Sequence, residues 1–106
     1  MADCIFCKIA KGEAEKKFLY ETDNFVVFPD IHPSAPLHYL IVSKSHFESI
    51  IGCPEILWIE VKHIAEALAK KENIIGFRLA TNVGEAAVIK HMHIHFLAGI
   101  TKDRKV

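Results

Sequence analysis

His91-Met92-His93-Ile94-His95-Phe96-Leu97 alternates imidazole with apolar side chains, the period of two that marks a β-strand. In an extended chain His91, His93 and His95 share one face, while Met92, Ile94 and Phe96 share the other. The apolar face needs a covering layer, and the imidazole face needs a chemical explanation. Three readings fit the alternation by itself. The histidines are half-exposed on a solvated sheet face. Or they form a three-histidine metal centre, imidazole being a common zinc ligand. Or the middle imidazole is a nucleophile whose neighbours hydrogen-bond phosphate oxygens and supply a proton to a leaving group.

Working outward, the pattern predicts a final strand from about Val88 to Leu97, preceded by a loop at Gly84 and Glu85. Phe77-Arg78-Leu79-Ala80-Thr81-Asn82 reads as another strand, set off by Gly76. The long helix is predicted over Pro54 to about Lys71. Pro54 suits a first helical position there, and Leu57, Val61, Ile64 and Leu68 recur at helical spacing, with Trp58 and Ala65 widening the stripe. His38-Tyr39-Leu40-Ile41-Val42 reads as a strand buried on at least one face, following a segment broken by three prolines from Pro29 to Pro36. Phe25-Val26-Val27-Phe28 and Phe18-Leu19-Tyr20 are strand-like, joined by a turn at Glu21-Thr22-Asp23-Asn24. Cys4 to Lys11 has one apolar side, that of a short helix ended by Gly12. Strands outnumber helices and are close enough in sequence for antiparallel pairing. The class is therefore α+β: a five-stranded antiparallel sheet with one long and one short helix.

The 106 residues are read as a single domain, 1–106, long enough to bury a sizeable core. Thirteen basic residues balance thirteen acidic ones, which gives no basic excess for wrapping a nucleic acid or lying on an anionic membrane. Met1-Ala2-Asp3-Cys4 lacks the basic-then-apolar pattern of a secretion signal, and no run of eighteen apolar residues occurs, so a cytoplasmic location is expected. The three cysteines are an odd number, and Cys4 and Cys7 are too close for an ordinary structural staple. Reduced thiols or metal binding suit them better. Cys53 reads as a small residue before the long helix, His63 as an ordinary helix histidine, and His32 as a loop histidine near Asp30, either solvated or in contact with ligand, the solvated reading being favoured. The tail from Thr101 to Val106 reads as loose.

The interleaved histidines with hydrophobic residues after them match the signature of the histidine triad family. Ile5-Phe6-Cys7-Lys8-Ile9, Phe28-Pro29-Asp30-Ile31, Ala35-Pro36-Leu37-His38-Tyr39-Leu40-Ile41-Val42 and Lys44-Ser45-His46 resemble successive landmarks of its nucleotide-binding branch. This resemblance covers nearly the whole chain. It implies a histidine triad fold and hydrolysis of nucleoside 5'-phosphoramidates, or related nucleotide conjugates, through a covalent nucleotidyl-histidine on His93. By the same resemblance His95 lies near the phosphate and leaving group, and His38 and His91 complete the catalytic set. Asp30 matches the residue that holds the ribose hydroxyls, a task suited to a carboxylate. Ile5, Phe6, Ile9, Ile31 and Leu40 match apolar positions around the base, and Asn82, Ala87 and Val88 match positions near the phosphate. The expected ligand is a purine nucleotide or nucleotide conjugate, and the expected assembly is a homodimer with Trp58 or Ile59 in the contact.

Some members carry a structural zinc, whose ligand positions fall here on Cys4, Cys7, His46 and His91; no metal is expected to take part in the chemistry. Cys-x-x-Cys alone is weak evidence for such a site, since two buried thiols have the same spacing. The chain departs from the family where a Gly-Gln-Ser or Gly-Gln-Thr stretch usually contacts the α-phosphate. Ala86-Ala87-Val88 stands there instead, and the side chain of Val88 donates no hydrogen bond. Two alternatives stand beside the hydrolase, the first raised by this departure and the second by the histidine alternation itself. One is a nucleotide-binding regulatory module with weak or no turnover. The other is a metalloenzyme that uses all three triad histidines as ligands.

Overall fold

The computed structural model of the protein describes residues 4–14 and 16–105. Met1 to Asp3 and Val106, which entered the readings of the two ends, lie outside the described residues.

The short helix α1 spans Ile5–Ala10 and buries Phe6, Cys7 and Ile9. Cys4 caps it, its Sγ accepting the Cys7 backbone N–H at 3.4 Å. The strands are β1 (Tyr20–Glu21), β2 (Phe25–Pro29), β3 (Leu37–Ser43), β4 (Phe77–Ala80) and β5 (His93–Ala98), with α2 (Glu55–Lys71) between β3 and β4. They form one five-stranded sheet in the order β1-β2-β3-β5-β4, and every neighbouring pair is antiparallel. The α+β class and the sheet are those expected from the alternation.

Each sheet face has its own apolar layer. Phe25, Val27, Ile41, Ile94 and Phe96 pack with Leu57, Val61, Ile64 and Leu68 of α2. Val26, Phe28, Leu40 and Val42 pack with Phe6 and Ile9 of α1 on the opposite face. The continuous run Phe25-Val26-Val27-Phe28 is thus explained by a strand covered on both sides.

Several element ends differ from the sequence reading. The last strand begins at His93, not Val88, because the Met92 backbone N–H donates to the Phe47 carbonyl (2.6 Å), which diverts the preceding residues from the sheet. The first strand is shifted from Phe18–Tyr20 to Tyr20–Glu21. Its turn starts at Thr22, whose Oγ1 accepts the N–H groups of Asn24 (3.2 Å) and Phe25 (3.0 Å). β4 stops at Ala80, and the Thr81 hydroxyl instead donates to the His93 carbonyl at 2.8 Å. Pro54 is the N-cap of α2, one position before its predicted place. The long helix closes on Asn73 (φ 56°), an asparagine in the left-handed conformation that glycine more often supplies. The tail is tied at Arg104, whose carbonyl accepts from the Arg78 guanidinium at 3.0 Å. No helix among the described residues is long and apolar enough to cross a membrane.

Candidate active site

The register of three strands assembles the site on the α1 face. Val42 pairs with His93, Leu40 with His95 and with Phe28, and His38 lies diagonally across from His95. A cavity of about 570 Å³ opens over this patch, within the usual range for a small-molecule site. His93 and His95 stand on its wall, as do Asp30, Asn82 and the apolar Ile5, Phe6, Ile9, Ile31 and Leu40. Val88 lines the rim at 98% exposure, whereas Ala87 is buried and off the wall.

Hydrogen bonds fix the imidazole tautomers. His93 Nδ1 lies 2.6 Å from the His91 carbonyl, which can only accept, so Nδ1 carries the proton and Nε2 keeps its lone pair. His38 Nδ1 receives the Ser34 backbone N–H at 3.0 Å, an obligatory donor. Neutral His38 is therefore protonated on Nε2, which donates to His95 Nδ1 at 2.9 Å. That bond in turn places the His95 proton on Nε2. Two adjacent imidazoles, with ring centroids 5.2 Å apart, thus have complementary free nitrogens, one a lone pair and the other a proton donor.

Asp30 sits where its Oδ1 accepts the His32 backbone N–H (2.8 Å) and its Oδ2 approaches His38 Nε2 (3.4 Å). Asp30, His38 and His95 are close enough together to consider a metal. The Ser34 N–H argues against one, because it leaves His38 Nε2 protonated and unable to ligate.

A second cluster lies beside the first. His91 is fully buried, and its Nε2 donates to the Ser43 carbonyl at 2.7 Å, leaving the Nδ1 lone pair for other partners. Nδ1 lies 3.2 Å from Cys4 Sγ, 3.4 Å from Cys7 Sγ and 3.1 Å from His46 Nδ1, and Cys7 Sγ is 3.1 Å from His46 Nδ1. Tetrahedral zinc with ordinary bond lengths separates its nitrogen and sulfur ligands by roughly 3.3–3.6 Å. The donors fit such an ion with small adjustments, and the Ser43 carbonyl is the outer partner that fixes the His91 tautomer. Burial pushes the Cys7 thiol up, with Cys4 adding to the shift; a cation would reverse that preference.

The three triad histidines therefore do not share one centre: His91 Nδ1 faces the cysteines, while His93 and His95 face the cavity. Two of the three are not solvated, His91 being 0% and His93 8% exposed, while His95 is half-buried.

The family described as Scavenger mRNA decapping enzyme C-term binding, a histidine triad domain, matches residues 3–105. The chain belongs to the histidine triad family. Protein HitA of Neisseria gonorrhoeae is 37% identical over 92% of this chain and 96% of its own length. Adenosine 5'-monophosphoramidase HINT3 of Danio rerio is 35% identical over 90% of this chain and 64% of its own. A HIT family hydrolase from Clostridium thermocellum superposes with a TM-score of 0.90 at 33% identity, covering 100% of this chain and 98% of that one. A zinc-bound histidine triad family protein from Mycobacterium smegmatis superposes at 0.83 with 25% identity, covering 97% and 79%.

Within this histidine triad site several wall residues lay outside the sequence reading: Ala14, Lys16, Phe28, Pro29 and Ile89; His32 also stands on the wall, the ligand-side one of its two readings. Phe28 and Pro29 end β2 immediately before Asp30 and fall inside the Phe28-Pro29-Asp30-Ile31 landmark. Lys16 and Ile89 lie in irregular segments with no period to expose them. His63 is exposed on α2, 3.4 Å from Glu66, and Cys53 Sγ donates to the Ile50 carbonyl at 3.3 Å; neither touches the cavity.

Burial holds His38 and His95 below the ordinary imidazole pKa; His93 and His38 push His95 the same way, and Asp30 opposes both shifts. Such histidines bind fewer protons folded than unfolded. Their contribution to stability is therefore full above the unfolded pKa near 6.5 and is lost as pH falls through the folded values. We expect the denaturation midpoint to fall between about pH 7 and pH 5, and to fall less steeply in a His38→Asn/His95→Asn double variant. Equal slopes in urea titrations of the two proteins would contradict this.

Proposed function

We propose that the protein is a nucleotide hydrolase that cleaves nucleoside 5'-phosphoramidates or related nucleotide conjugates through a covalent nucleotidyl group on His93 Nε2. The observation that carries the reading is the pair of fixed tautomers, a lone pair on His93 beside a proton on His95. The phosphoramidase name of a relative 35% identical to the chain supports the substrate class.

In the first step the His93 Nε2 lone pair attacks the α-phosphorus as the bond to the leaving nitrogen breaks. His95 Nε2–H delivers its proton to that nitrogen, so the amine leaves neutral. The imidazolate left on His95 is held by the His38 Nε2–H and balanced by the imidazolium formed on His93. His38 steadies His95 from behind, its own Nε2–H held on His95 Nδ1. In the second step water attacks the nucleotidyl-histidine, His95 Nε2 takes the water proton, and the nucleoside monophosphate leaves with His93 restored. Asp30 would hold the ribose hydroxyls, and Ile5, Phe6, Ile9, Ile31 and Leu40 would enclose the base.

Zinc would be held by Cys4, Cys7, His46 and His91, where its chemistry is structural: four protein ligands close the coordination sphere and leave no place for water. That a histidine triad neighbour of this fold is zinc-bound supports the choice of metal.

A regulatory binding module is the second reading, favoured by Ala86-Ala87-Val88. The Val88 side chain at the rim offers no donor, and one missing donor can remove on the order of 3 kcal/mol of transition-state stabilisation. Incubation with adenosine and guanosine 5'-phosphoramidates, followed by chromatography and intact mass, separates the two. Released monophosphate supports the hydrolase; tight nucleotide binding with neither product nor adduct would establish the module.

A homodimer is part of the proposal. β4 is an edge strand, and beside it Trp58, Ile59 and Phe77 are exposed around a groove between α2 and the sheet. Light scattering is expected to return twice the 12.0 kDa chain mass, and a Trp58→Glu variant a single mass. A monomeric wild type would remove this part of the reading.

A further inference from the structure

Lys16 lies in the connection between α1 and β1, yet its side chain reaches the cavity wall. Its position along the cavity follows from a chain of ring contacts. Phe6 stands edge-on to His93 with centroids 4.9 Å apart, and Phe28 stands edge-on to Phe6 at 6.1 Å. The Lys16 Nζ lies over Phe28, 5.1 Å from its centroid. The ammonium therefore sits two aromatic contacts from the nucleophile, over Phe28, which pairs across the sheet with Leu40 as Leu40 pairs with His95. The acidic side chain on the same wall, Asp30, is engaged elsewhere, with the His32 N–H and His38.

We infer that Lys16 is a base-selecting residue that favours 6-oxopurine nucleotides over adenine nucleotides. This rests on the nucleotide reading of the cavity. With phosphorus at His93, the base lies against Phe6, Phe28 and Leu40, and its edge faces the ammonium. An ammonium group is donor-only. Guanine and hypoxanthine present O6 and N7 as two adjacent acceptors, whereas adenine presents N7 beside an amino donor at position 6. The amino group of adenine meets the cation unfavourably. Phe28 holds the lysine stem in place through its ring face, which lowers the cost of ordering a long side chain.

The test compares the affinities of guanosine, inosine and adenosine 5'-monophosphates, and kcat/KM for the matching phosphoramidates, in wild type, Lys16→Met and Lys17→Met. Methionine keeps the length of the stem without the charge, and Lys17 is an exposed neighbour off the cavity wall. The wild type is expected to favour guanosine and inosine over adenosine by about tenfold, Lys16→Met to bring the ratio near one, and Lys17→Met to preserve it. A ratio unchanged by Lys16→Met overturns the inference. So does an equal loss for all three nucleotides, which would make Lys16 a general attractor of anions. Equal wild-type binding of all three sinks this inference and leaves the nucleotide site standing, whereas no binding of any sinks both.

Discussion

Replacing His93 with alanine is expected to lower kcat/KM for a nucleoside phosphoramidate by at least about 10³-fold while nucleotide affinity stays within about tenfold. The asymmetry follows from what the side chain does. His93 Nε2 would form the bond to phosphorus, and no other described group in the cavity combines a free lone pair with an orienting bond like that from Nδ1 to the His91 carbonyl. Binding, by contrast, would be spread over the apolar wall and Asp30. His93 is 8% exposed, so thermal denaturation of the variant must first show that it folds. Retention of more than about a tenth of wild-type turnover in a folded His93→Ala protein would exclude His93 as the nucleophile.

Loss of zinc should produce the second large effect, on stability and turnover together. Purified protein never exposed to chelator is expected to contain about one zinc per chain. An ion bound a thousandfold more tightly than its free concentration stabilises a fold by about 4 kcal/mol, or about 20 °C in a domain of this size. Cys4→Ser or Cys7→Ser should therefore lower the melting temperature on that scale and abolish metal content. Turnover should suffer as well, because His91 would bind zinc through Nδ1 while its carbonyl fixes the His93 tautomer. A metal content well below one, or serine variants that melt with the wild type, would remove the four-ligand proposal.

Much of this architecture was written in two periodicities. The alternation from His91 to Phe96 separated a core face from an imidazole face, and the helical spacing of Leu57, Val61, Ile64 and Leu68 named what covers the core face. Periodicity did not locate the strand ends, which long-range bonds set: Phe47 captures Met92, and Thr81 turns to His93. Nor did it distinguish His91 from His93. Both lie on the same side of the chain, and only the folded positions of Cys4, Cys7 and His46 divert one of them from the cavity. The proton positions depended on Ser34, whose contribution is a backbone N–H and so leaves no mark on residue type. Lys16 was hidden for a similar reason: an irregular connection carries it to the wall.

The central claim is a covalent nucleotidyl-His93, and the stereochemical course at phosphorus tests it most directly. A single diastereomer of a nucleoside 5'-phosphorothioamidate, hydrolysed by the wild type in oxygen-18 water, gives a chiral phosphorothioate whose configuration can be read. Two in-line displacements, first by His93 and then by water, predict retention. Inversion would mean that water attacks phosphorus directly, and would contradict the account.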